Sequence, residues 1–161
     1  PRPHLGTLEV RIMDAQPTIS HTVALGGFVR ALITYLRETP VQERVSGLPQ
    51  TLNSWFEKEN HYQASRCGLD AAFVFDNEGN TCSLRSVLQT VIDAIRPVAE
   101  ELGQAGYFEL FCEHVVKDPC YARQRAIYKQ TNSLRKVTES LVAELAAEAA
   151  ESCYTVLDGG R

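Results

Sequence analysis

The chain has 161 residues, is 44% hydrophobic and 22% charged, and carries a net charge of −4. That length suits one domain able to bury roughly two-thirds of its unfolded surface. The acidic balance argues against nucleic acid and anionic membranes as partners, since both require a basic excess.

Five cysteines stand at 67, 82, 112, 120 and 153 with no C-x-x-C pair. An odd count without that spacing argues against a disulfide scaffold or a structural zinc site and points to a reducing cytoplasm. Apolar runs are short and interrupted, so no bilayer-spanning segment and no signal peptide is expected.

Pro1 to Leu5 is irregular, with Arg2 between two prolines and His4 close to the Gly6 segment. Gly6 to Met13 alternates as a β-strand, with Leu8, Val10 and Ile12 on one face and Thr7, Glu9, Arg11 and Met13 on the other. Glu9 and Arg11 then stand about 7 Å apart and point the same way. Such a pair can hold a metal ion and a phosphate, or the two side chains can hold each other. A strand needs neighbours for its backbone donors and acceptors, and the rest of the chain offers few. The expectation is a C-terminal portion of a longer protein whose sheet lies mostly upstream.

Asp14 to Thr18 reads as a turn, with Thr18 or Ser20 capping a helix over about Ser20 to Arg37. Gly26 and Gly27 inside that helix imply close packing against another element. Glu38 to Pro49 is expected as a loop, followed by a short amphipathic piece over Leu52 to Phe56. A helix from Glu59 is ended by Gly68 and carries Asn60, Gln63 and Arg66 on one face. Ala72 to Phe75 and Thr81-Cys82 read as a small hairpin around the turn residues Asp76 to Asn80.

The remainder reads as helical: Ser83 to Leu102 with Pro97 at a kink or break, Tyr107 to Val116, a helix opened by Asp118-Pro119, and a last helix to about Ser152. The last helix takes Asn132 or Ser133 as its cap and turns Leu134, Val137, Leu141 and Leu145 to one side. Asp158 to Arg161 is a frayed tail. The fold class is therefore α+β and mainly helical, with one N-terminal strand, a small hairpin and about six helices.

The order of the pieces carries a resemblance. An Arg-Pro-His start, a Gly-Thr-Leu-Glu-Val-Arg strand, a Met-Asp turn and a helix precede Glu59-Asn60-x4-Ser65-Arg66-x-Gly68-Leu69-Asp70-Ala71. Ala122-Arg123-Gln124-Arg125-Ala126 and Ser133-Leu134-Arg135 come after it. This set resembles the C-terminal half of the carboxylate-amine ligases, the bacterial type 2 glutamate-cysteine ligase family of the glutamine synthetase-like superfamily. The sequence departs from the family's usual pattern at His61-Tyr62-Gln63 and at Cys67.

The resemblance implies a glutamine synthetase-like catalytic domain, ATP with Mg²⁺ or Mn²⁺, and an acyl-phosphate route joining an amino-acid carboxylate to an amine. Divalent cations of this kind favour hard oxygen ligands. By resemblance, Glu9 matches a metal-binding carboxylate, and Arg11 matches a catalytic arginine that meets phosphate or substrate carboxylate. His4 is a second metal candidate; Arg2, Asn60 and Arg66 are candidates for nucleotide contact. The plain alternatives are a surface role for His4, and side-chain packing for Asn60, Arg66 and the Arg123-Gln124-Arg125 face. The expected partners are small-molecule substrates, the missing N-terminal half and a second copy of the protein, and the chain alone is expected to be inactive. A competing possibility is a non-catalytic interaction module that recruits a partner along the open strand edge.

Overall fold

A computed structural model describes residues 3–7, 9, 10, 12–45 and 51–158, with side chains from His4 to Glu151 within those ranges. Six stretches form α-helix: α1 (Ile19–Glu38), α2 (Ser54–Cys67), α3 (Leu84–Glu101), α4 (Ala105–Phe111), α5 (Cys120–Thr131) and α6 (Leu134–Asp158). Between α2 and α3 lies a hairpin of β1 (Ala72–Val74) and β2 (Thr81–Ser83). The α+β, mainly helical class is what the sequence pattern implied.

The core forms where α1 crosses α3 and α4. Ala24, Ala31 and Tyr35 of α1 meet Val91, Ile92, Ile95 and Ala99 of α3 and Phe108 and Phe111 of α4. Burying side chains such as Phe108, Ile92 and Ile95 stabilises by roughly 1.5–3 kcal/mol each. Phe28 stacks on Phe111 with ring centroids 4.2 Å apart. The glycine pair inside α1 divides its duties: a Cβ on Gly27 would lie 3.1 Å from Tyr107 Cβ, whereas Gly26 faces open space. Of the two glycines, it is Gly27 that permits the close approach of α4 to α1. By length and composition α1 is apolar enough to cross a bilayer, which the expectation of only short apolar runs did not foresee. Its His21, Ala24, Gly27, Ala31 and Tyr35 are buried in this fold.

The hairpin pairs Ala72 with Ser83, Phe73 with Cys82 and Val74 with Thr81. Its turn is built by Asp76, whose Oδ1 accepts from the N–H groups of Glu78 and Asn80 and whose Oδ2 accepts from Asn80 Nδ2. Gly79 supplies the positive φ of 85° that the turn requires. Leu52, Phe56 and Val74 close a second, smaller apolar cluster under it.

Two expectations need correction. Residues 6–13 do not form a strand among the described residues: Gly6 is a turn, Thr7 an isolated bridge, and Glu9, Val10 and Ile12 lie outside regular structure. A strand exists only through pairing, and the two-stranded sheet does not extend to it. Ile12 is left 68% exposed, and the proposed interaction module loses its strand edge. Second, the α4 helix does not continue regularly to Val116 but passes into a π-helical turn over Cys112–Lys117. The last helix forms as expected; of its apolar residues at helical spacing Val137 is buried, while Leu134 is 73% exposed. The helix rests on α5 along one side, and its Leu141 and Leu145 line a groove with Ala15, Gln16 and Pro17. Pro97, expected at a kink or break, is accommodated inside α3.

Candidate functional site

Of the residues singled out by sequence, Glu9 and His4 are exposed, and Arg2 and Arg11 lie outside the described residues. Asn60 and Arg66 lie on α2, and both have structural employment. Asn60 is 7% exposed; its Nδ2 donates to Val74 O at 2.8 Å and its Oδ1 accepts from Val74 N–H at 2.7 Å. The side-chain amide pairs with the outer edge of β1 as a neighbouring strand would. Arg66 is exposed, donates to Tyr62 Oη at 2.7 Å and lies over the Tyr62 ring. The three-residue spacing placed both on α2 correctly but did not distinguish ligand contact from packing.

The Arg123-Gln124-Arg125 face is likewise engaged. Arg123 bridges Asp118 at 3.1 Å and Glu144 of α6 at 2.7 Å. Arg125 donates to Arg66 O at 2.6 Å and lies over the Tyr121 ring. Gln124 donates to Cys120 Sγ.

A concavity among the described residues lies elsewhere, between the Met13–Pro17 segment, the start of α1, the α2 C-terminus and α5. It is a cleft of about 390 Å³, within the size range of small-molecule sites. Most of the wall is apolar, contributed by residues such as Met13, Leu69, Leu84 and Val115, with His21, His114, Asp14 and Gln124 as polar members. The π-helical turn at Cys112–Lys117 brings His114 to the cleft, where its ring centroid lies 5.2 Å from that of His21. Periodicity gives no hint of this pairing, because the turn breaks the 3.6-residue repeat.

The start of α1 is closed by a residue 128 positions away. Glu148 of α6 accepts from Ile19 N–H at 2.7 Å and Ser20 N–H at 2.8 Å. Thr18 Oγ1 accepts from His21 N–H, and Thr18 O from Thr22 N–H. All four leading donors of the helix are thereby satisfied. This terminus is no open phosphate seat, since a carboxylate of the chain already fills it. Replacing Glu148 with alanine should cost about 0.5–2 kcal/mol, as loss of a helix cap does. Hydrogen exchange at residues 19 and 20 should accelerate, and unchanged protection there would show that Glu148 does not hold the helix.

Acid should loosen this region. Burial, followed by the fields of His114 and Arg123 against those of Glu144 and Glu148, keeps the His21 imidazole below its ordinary value of 6.5. Hydrogen bonds from Ser20 and from the Ile19 N–H hold the Glu148 carboxyl below 4.5. Both groups bind protons more readily in the unfolded chain. Their contributions are present above the unfolded values and are lost as pH falls, first through the histidine range and then through the carboxylate range. The thermal midpoint is expected to drop from about pH 8 to about pH 5, and a His21→Gln variant should show a flatter profile above about pH 5.5. A wild-type midpoint constant over that interval would contradict the assignment.

A divalent metal does not find a complete seat here. Among the described residues no group of three or more His, Cys, Asp or Glu side chains is placed to hold an ion.

Comparison with known proteins identifies the family. The sequence profile of glutamate-cysteine ligase family 2 (GCS2) matches residues 1–140. A protein of Trichormus variabilis named "Putative glutamate--cysteine ligase 2" is 36% identical over 150 residues, 93% of this chain and 39% of the relative. Proteins of the same name from Bdellovibrio bacteriovorus and Thermobifida fusca are 37% identical over 142 residues and 34% identical over 149. These alignments cover 88% and 92% of this chain, and 36% and 37% of the relatives. The chain thus spans under two-fifths of the length of these relatives. Since the profile match covers residues 1–140, well over half of the sequence, the chain belongs to glutamate-cysteine ligase family 2.

Proposed function

We propose that the chain forms part of an ATP-dependent carboxylate-amine ligase of the glutamate-cysteine type. In this reaction a substrate carboxylate oxygen attacks the γ-phosphorus of ATP and ADP departs. The amine nitrogen then attacks the acyl carbon, phosphate leaves with the former carboxylate oxygen, and the nitrogen loses a proton. The observation that carries this reading is the family profile extending over residues 1–140.

Charge gathers on transferring oxygens in both steps, and fixed cations or donors aimed at it give the largest catalytic benefit. Arg11 is the proposed donor to that charge. Glu9, with His4 beside it in sequence, is the proposed contribution to a Mg²⁺ or Mn²⁺ site, and the exposure of both is compatible with ligands supplied by further chain. The described residues do not complete that site, so no step is assigned to the metal. Arg2 remains a candidate for nucleotide phosphate. Asn60 and Arg66 are better explained as structural residues of α2. The chain is proposed to be inactive alone, to act with the remaining length seen in its relatives and with a second copy, and to work in the cytoplasm, where its cysteines stay reduced.

The test uses a polypeptide of the relatives' full length carrying these residues. Wild type should release ADP when given Mg-ATP, glutamate and cysteine, and Glu9→Gln should lower turnover by about a hundredfold or more, with weaker metal dependence. Equal turnover in the two proteins would remove Glu9 from the site, and no turnover in either would count against the reaction.

A further inference from the structure

Leu134, Thr138, Leu141 and Leu145 recur along α6 at steps of four, three and four residues, the spacing of a coiled-coil seam. Leu134, in the first turn of the helix, is 73% exposed. Farther along, Thr138, Leu141, Val142 and Leu145 form an apolar groove of about 260 Å³ against Ala15 and Pro17. An exposed leucine and an apolar hollow therefore stand on one helix, and Leu134 and Leu145 are separated by about 16 Å along its axis. A twofold contact requires a patch that fits itself, each part meeting the other on the second copy. A protruding residue and a hollow on the same helix meet that requirement.

We propose that α6 pairs antiparallel with α6 of a second copy, Leu134 seating in the groove beside the partner's Leu145 and Thr138 opposing the partner's Leu141. This register brings Arg135 level with the partner's Glu144, so opposite charges meet. Parallel pairing would set each of these residues against its own copy, like charge against like. The Arg135 side chain is 87% exposed, and its ion pair with Glu139 within α6 is a surface pair that holds it only weakly. Glu144 also bridges Arg123 of α5. The family profile ends at residue 140, whereas Leu141, Val142 and Leu145 of the groove lie past it; this favours a second copy over the family's shared length as the occupant. The contact rests on the reading above only in naming a second copy, and it is measured as mass, so loss of the ligase reaction would leave it standing.

The test is sedimentation equilibrium of this chain and of a polypeptide of the relatives' full length, at about 1–100 μM because a helix pair is a small interface. Both should form dimers. Leu134→Glu, which places an acidic residue where a helix start favours one, should raise the dissociation constant at least about tenfold with helix content unchanged. For the register, Leu134→Cys and Leu145→Cys chains are mixed and oxidised, and the disulfides are assigned by peptide mass spectrometry. A link between position 134 of one chain and position 145 of the other is expected. A monomeric wild type, undiminished pairing in Leu134→Glu, a link between two copies of position 134 in its place, or a full-length polypeptide that stays monomeric while the shorter chain pairs would each overturn the proposal.

Discussion

Gly68→Ala is expected to destabilise the fold by about 3 kcal/mol or more, read as a lower urea midpoint. Two independent costs meet at this residue. Its backbone stands at φ 61° and ψ −136°, a conformation open to glycine and strained for any residue with a Cβ. An added Cβ would also lie 2.2 Å from Tyr121 Cζ, far inside contact distance. The ring cannot simply swing away, because Tyr121 Oη accepts from Leu69 N–H at 2.9 Å and Arg125 lies over the ring face. The two costs separate in a double-mutant cycle. On a Tyr121→Ala background the Gly68→Ala change should cost at least about 1 kcal/mol less, the remainder reporting backbone strain. A change within about 0.5 kcal/mol in the single variant would mean that the α2 terminus does not hold this geometry.

Asn60 should give the second large effect. Its side chain satisfies both the N–H and the C=O of Val74 in a buried position. Truncation to alanine leaves a donor and an acceptor unpaired, at about 1–3 kcal/mol for each group that stays dry. The expected loss is about 2–4 kcal/mol, together with faster hydrogen exchange at Val74. Asn60→Asp is the sharper substitution. It keeps an acceptor for Val74 N–H but sets a carboxylate against Val74 O, so it should destabilise near neutral pH and recover in part when the carboxyl is protonated. Should Asn60→Ala fold with wild-type stability and instead lose nucleotide affinity in the full-length protein, the ligand role drawn from the family motif would be restored.

Local chemistry was legible in the sequence, and long-range chemistry much less so. Thr18 as a cap, the Gly27 packing site, Gly68 as helix terminator and the Asp76 turn were readable because each is decided within a few residues. The hairpin came from the same rules. Gly6 to Met13 alternates as a strand should, but alternation only prepares a face. Pairing needs partners, and β1 spends its outer edge on Asn60. The α6 spacing fixed the helix but not its burial, since Val137 is buried while Leu134 is exposed. Nothing in the spacing announces that Glu148 closes the start of α1, or that a π-helical turn sets His114 beside His21. Family membership was carried by ordered motifs, while the roles of Glu9 and Arg11 rest on those motifs and not on the described geometry.

The most direct test of the proposed reaction traces oxygen. Glutamate labelled with ¹⁸O in its side-chain carboxylate is incubated with cysteine and Mg-ATP in a polypeptide of the relatives' full length carrying these residues, and the inorganic phosphate is analysed by mass spectrometry. Activation through an acyl-phosphate predicts one ¹⁸O in the phosphate for each amide formed. Amide formation with unlabelled phosphate would contradict that route, and labelled phosphate without amide would contradict the identity of the amine.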